Sequence, residues 1–177
     1  FEVIKELKLP LHYIICTGYG LNEVHILNQN SKNWSTDDYL QGYCDLGYKE
    51  YLSYKNFKNE YGFGHSECLA LLTDETSQYD KFKSGELFIA NYFGAKRIAD
   101  NIMLIEPFYS KIGIRRRSFV NAMISLFKNP NFEFTEFLQK LKLQPTALVD
   151  CATTTQYKSL IEEIYNYRRR EKVNLRF

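Results

Sequence analysis

The stretch Ser35-Thr-Asp-Asp-Tyr-Leu-Gln-Gly-Tyr-Cys-Asp-Leu46 decides the fold class of this 177-residue chain. Ser35 stands three residues before Asp38, so its hydroxyl can accept the Asp38 amide while the carboxylate reaches back, a reciprocal helix start. Asp37 and Asp38 also sit where the positive end of a helix dipole favours negative charge. The spacing predicts a helix from Ser35 to about Leu46, stopped by Gly47, and a second from about Lys49 to Tyr61, stopped by Gly62.

Downstream the apolar residues keep the helical period. A short helix is expected over residues 64–72, starting near Ser66. A longer one is expected over residues 87–105, with Ile89, Phe93, Ile98 and Ile102 on its apolar face and Pro107 ending it. Residues 119–127, 134–143 and 154–170 complete the helical set. Upstream, Leu9-Pro-Leu-His-Tyr-Ile-Ile-Cys-Thr17 is β-branched and aromatic and is the best strand candidate. Residues 21–27 read as a helix, and the polar run 28–33 breaks it. Residues 1–8 have helical spacing but nothing before them to cap the first turn, so further residues are expected upstream of Phe1. Trp34, the lone tryptophan beside a helix start, is expected to be substantially buried as an anchor.

Composition sets the class. With 45% hydrophobic and 25% charged residues the chain is globular, and a chain of this length buries roughly 70% of its unfolded surface. The departure from average is aromatic: 13 Phe, 14 Tyr and 1 Trp against only 9 Gly and 4 Pro, which suits interlocked helices better than a turn-rich β-sandwich. No stretch approaches the ~20 apolar residues of a membrane span, so no membrane association is expected. Cys16, Cys44, Cys68 and Cys151 lie too far apart for a zinc knuckle or a redox pair and read as reduced thiols of a cytoplasmic protein. His12, His25 and His65 are scattered, and no metal site is assigned. No acid, base and nucleophile converge, so no catalytic residue is assigned and the chain does not read as an enzyme.

The net charge of +2 hides an asymmetry. Residues 1–110 carry 10 basic and 15 acidic side chains; residues 111–177 carry 13 and 6. Seven of the eight arginines lie in the second part, in the triplets Arg115, Arg116, Arg117 and Arg168, Arg169, Arg170, the latter followed by Lys172 and Arg176. Such a split points to a polyanionic partner. The first triplet precedes a helix start, where cations oppose the dipole, so stabilisation does not explain it. The second is expected to end a helix, where cations are favoured.

Residues 9–16, a helix, and then Leu27-Asn-Gln-Asn-Ser-Lys-Asn-Trp-Ser-Thr-Asp-Asp-Tyr-Leu40 together resemble the second half of the ParB-like (ParB and sulfiredoxin superfamily) N-terminal domain, in the variant of prophages and other bacterial mobile elements. In that variant an Asp-Gly-Gln-His-Arg-type motif comes just before the helix matching residues 1–8. The closing segment 164–177 also resembles the end of such proteins, and the likeness is strongest over 9–57 and 161–177. Where ParB proteins carry Glu-Asn-x-x-Arg, this chain reads Gln29-Asn-Ser-Lys-Asn33, with an amide for the acid and Lys32 one place early. Residues 61–84 occupy the place of the family's helix-turn-helix.

The resemblance implies a mainly α fold. A small α/β fragment, the C-terminal half of a ParB-like domain, with connecting helices fills residues 1–60, and a helical domain fills 61–177. It also implies a nucleotide- or phosphate-binding role for Asn28, Asn30 and Lys32. No cofactor is assigned, a nucleotide such as CTP or ATP requiring the upstream motif. Together with the charge split, it leads to the expectation of a DNA-binding or DNA-associated protein. Duplex DNA would be held by Arg115–117, Arg168–170 and Lys172, and a homodimer is left open. The alternatives are a non-catalytic helical interaction module, or the non-catalytic part of a nucleotide-using enzyme.

Overall fold

A computed structural model describes residues 17, 18, 20, 21, 23, 24, 34–73 and 78–175. Helix makes up 64% of these residues, and no strand occurs among them. The strand expected over residues 9–17 lies, apart from Thr17, outside the described residues, as do the first helix and Asn28, Asn30 and Lys32.

Eight α-helices follow Trp34 among the described residues: α1 (Thr36–Asp45), α2 (Lys49–Tyr61), α3 (His65–Thr73), α4 (Tyr79–Ser84), α5 (Tyr92–Met103), α6 (Arg117–Phe127), α7 (Phe134–Leu143) and α8 (Thr154–Tyr165). Short 3-10 turns at Glu106–Phe108 and Gly113–Arg115 lead from α5 into α6. The helix start read from Ser35 is present in full: the Asp38 amide donates to Ser35 Oγ at 3.2 Å, and the Ser35 amide donates to Asp38 Oδ2 at 2.7 Å. α2 ends at Gly62 in the left-handed conformation, φ 66°.

Packing is organised around α3 and α6. α3 lies against α2, α5 and α6, and α6 also packs on α5 and α8. On α6, Phe119, Val120, Ala122, Met123 and Leu126 are all buried, an apolar face wide enough for three neighbours. On α3 Cys68, Leu69, Leu71, Leu72 and Thr73 are buried and only Ser66 is exposed, so most of this helix belongs to the core. The buried residues form one cluster running from Tyr39 to Leu175. Tyrosines tie the short α4 into it: Tyr43 donates to Lys83 O at 2.7 Å and Tyr51 to Phe82 O at 2.6 Å.

Two helix boundaries and the burial of Trp34 differ from the sequence expectation. α5 starts at Tyr92 because the Asn91 side chain caps it, accepting from the Gly94 amide at 2.8 Å. The residues before it are held outside the helix, Ile89 N on Glu50 Oε2 (3.2 Å) and Ala90 N on Leu72 O (3.2 Å). Phe93 is therefore 84% exposed and does not belong to the core face. α8 ends at Tyr165 and not at Arg170, because Asn166 turns its amide side chain to Val173 and Arg168 adopts φ 55°. Trp34 is only partly buried; it meets Tyr39 edge-on, ring centroids 5.2 Å apart, at the mouth of α1.

Candidate phosphate-binding site

The expected arginine triplets are each divided by the fold. Arg115 closes the 3-10 turn before α6, and its guanidinium is used internally. Nε donates to Tyr61 O at 3.0 Å and Nη1 to Lys111 O at 2.6 Å, with Glu106 Oε2 at 3.5 Å. It joins the end of α2 to the approach to α6. Arg116 is the residue before α6 and pairs with Asp150 Oδ2 at 2.6 Å. Arg117 opens α6, is exposed, and has no ion-pair or hydrogen-bond partner among the described residues.

The second triplet is also divided. Arg169 pairs with Glu136 and stacks on the Tyr165 ring 4.9 Å away. The guanidinium in turn holds the Glu136 carboxyl below its ordinary range. Arg168 lies over the Tyr167 ring at 5.1 Å, and Arg168, Arg170 and Lys172 are exposed. These residues follow the C-terminal end of α8, whereas Arg116 and Arg117 face its N-terminal end. The length of the helix, about 18 Å, separates the two groups, so they do not form one site.

A cleft of about 640 Å³ opens between the starts of α6 and α8. Arg116, Arg117, Ser118 and Asn121 line one side, and Cys151, Ala152, Thr153 and Thr154 the other. Two features make it electropositive. The first turn of α6 has no side-chain cap, and it carries two arginines where the dipole is already positive. The α8 start is capped internally, Gln156 N on Thr153 Oγ1 at 3.2 Å and Gln156 Oε1 accepting from Thr153 N at 3.1 Å. The cleft therefore offers guanidinium, hydroxyl and amide donors, a set that suits a phosphate or another oxyanion.

Asp150, the partner of Arg116, belongs to a hydrogen-bonded chain. A carboxylate only accepts, so Tyr109 donates its one hydroxyl proton to Asp150 Oδ1 (2.5 Å), and Tyr157 must then donate to Tyr109 Oη (2.6 Å). Burial, and then the Asp150 carboxylate, push the Tyr109 hydroxyl well above its ordinary value, so it stays protonated.

Sequence reading found Arg116 and Arg117 but missed Ser118, Asn121, Asp150 and Thr153. Thr153 was legible, since Thr-x-x-Gln156 is a capping spacing like that at Ser35. Asp150 carries no sequence signal, because its partners are 34 and 41 residues away. Among the described residues no group of three or more His, Cys, Asp or Glu could hold a metal, and no helix is long and apolar enough to cross a membrane. In comparison with known proteins, no family model matches the chain, and no curated protein and no solved structure matches it.

Proposed function

We propose that this chain is a cytoplasmic DNA-associated protein of the ParB-like, mobile-element kind, holding duplex DNA by its phosphates at the cleft between α6 and α8. In that reading Asn28, Asn30 and Lys32, outside the described residues, add nucleotide or phosphate contacts. The observation that carries the proposal is Arg117: an exposed cation, partnerless among the described residues, at the uncapped start of a helix, in a cleft of donors. Such a charge weakens the helix it opens unless an anion comes to it. The excess of 13 basic over 6 acidic residues in 111–177 agrees with a polyanion as that partner.

The test is a salt titration of duplex binding. Replacing Arg117 with Ala should weaken binding to any sequence and flatten the slope of log affinity against log salt by about 0.9, one phosphate contact. Arg169→Ala should leave that slope unchanged, because its charge is already answered by Glu136. Absence of binding at about 50 mM salt, where phosphate contacts are strongest, would replace this reading with the interaction-module one. That second reading has its own observation, the exposure of Phe93, Ile112 (77%) and Phe88 (68%), large apolar side chains left in water.

A further inference from the structure

Arg116 lines the proposed phosphate cleft, and its partner Asp150 immediately precedes the lining residue Cys151; the pair has no part in the binding just described. We infer that Asp150 is a built-in competitor for phosphate, holding Arg116 in reserve so that the cleft engages fewer phosphates than its arginines would allow. The inference rests on the phosphate-binding reading and adds the regulation of that site.

Both side chains reach solvent, Arg116 43% and Asp150 55% exposed, so neither is locked in the core. A pair of this kind contributes little to stability, and an incoming anion can exchange with it. Asp150 nevertheless has a fixed position. Tyr109 holds Oδ1, leaving Oδ2 for Arg116, and Tyr109 is itself held by the buried Tyr157. Both rings pack on the buried Phe119, at 5.5 and 5.4 Å. The carboxylate is thus mounted on the α6–α8 core and aimed at the first of the two cleft arginines. A phosphate approaching Arg116 meets a negative charge already in the place it would take. Among the described residues Arg117 has no such competitor, so the two neighbouring arginines differ in availability.

The experiment is the duplex salt titration with the wild type, Asp150→Asn, Arg116→Ala and the double variant, with thermal melting alongside. Asp150→Asn keeps an oxygen for Tyr109 to donate to, and it replaces the charged oxygen facing Arg116 with an amide donor that cannot pair with a guanidinium. Expected is tighter binding for Asp150→Asn by roughly five-fold at low salt, with a slope steeper by about 0.9 as Arg116 gains its phosphate. Arg116→Ala alone should leave the wild-type slope unchanged, and the double variant should lose the steepening. The inference is overturned if Asp150→Asn binds with the wild-type slope, or if it binds more weakly with a lowered melting temperature, the sign of a structural pair. It is also overturned if Arg116→Ala flattens the wild-type slope, an arm that holds even if Asp150→Asn does not fold. Absence of duplex binding by every variant overturns the DNA reading and the inference together, whereas binding with unchanged slopes overturns the inference alone.

Discussion

Tyr54, buried on α2, meets His65 at the start of α3 through a 2.8 Å hydrogen bond between its hydroxyl and Nδ1. On the other side of the ring Nε2 lies 2.9 Å from Asp37 Oδ1, which also receives Lys58 Nζ at 2.8 Å. Since Asp37 only accepts, the Nε2 proton goes to it, and neutral His65 takes the Tyr54 proton at Nδ1. Four side chains from α1, α2 and α3 thus share one chain of bonds. Tyr54→Phe would leave Nδ1 without a donor and should cost about 1–3 kcal/mol of stability in denaturant titration.

The same chain gives stability a pH dependence. Burial lowers the His65 pKa, outweighing the opposing pull of Asp37, while in the unfolded chain the group titrates near 6.5. Between the two values the unfolded chain holds the extra proton. The stability from neutral His65 is complete above about pH 6.5 and is lost as pH falls towards the folded value. Melting temperature should therefore drop over that window, and His65→Gln should remove that part of the drop. Asp37, lowered first by Lys58 and then by His65, adds a second loss at more acid pH, as its carboxylate protonates.

Two glycines with similar backbones should respond differently to Ala. Gly47 has φ 78° with nothing within 4 Å of an added Cβ, so Gly47→Ala should cost only the left-handed conformation, about 1–2 kcal/mol. Gly85 has φ 86°, and its Cβ would stand 2.8 Å from Tyr43 Cε1. Tyr43 cannot simply swing away, because its ring packs tilted against Tyr51, centroids 4.5 Å apart, and its hydroxyl donates to Lys83 O. Gly85→Ala should be clearly the more destabilising of the pair; equal losses in denaturant titration would show that Tyr43 yields.

Local rules were enough for some of this fold and, of its site, for the Thr153 cap alone. The α1 start and the α2 end were legible because the Ser35–Asp38 box and Gly62 act within a few residues of themselves. The start of α5 was not, since Glu50 and Leu72 withdraw residues 89 and 90 from a helix that periodicity alone would begin earlier. The arginine triplets were visible as composition. Which members are free was decided by Tyr61, Asp150 and Glu136, all distant in sequence, and only the packing of α6 and α8 brings Asp150 to Arg116.

That division can be measured on the first triplet. Arg115 makes charged hydrogen bonds to two carbonyls, and its loss leaves Tyr61 O and Lys111 O without that donor. Arg115→Ala should cost about 1.5–3 kcal/mol of stability, whereas Arg117→Ala should cost none and could even stabilise α6 by relieving charge at its start. Duplex binding should follow the opposite order once measured on folded protein. Equal effects of the two variants on both readouts would contradict the split.

The C-terminal segment is held by one side chain acting as a strand edge would. Asn166 Nδ2 donates to Val173 O at 2.8 Å, and Asn166 Oδ1 accepts from Val173 N at 2.7 Å, a two-point clasp. Beyond it the Leu175 amide donates to Glu162 Oε2 at 2.8 Å, and the Leu175 side chain is buried, 1% exposed. The segment between carries Lys172, so the clasp also fixes where that cation stands. Asn166→Ala should release residues 171–175 while leaving the α6–α8 core intact, because none of the helix packing passes through Asn166 Nδ2. Hydrogen exchange should show this as lost protection at the Val173 and Leu175 amides, with protection in α6 unchanged. Asn166→Asp keeps the acceptor for Val173 N but sets a carboxylate against Val173 O, so it should fail to restore protection. Retained protection in Asn166→Ala would mean that Leu175 burial alone secures the segment.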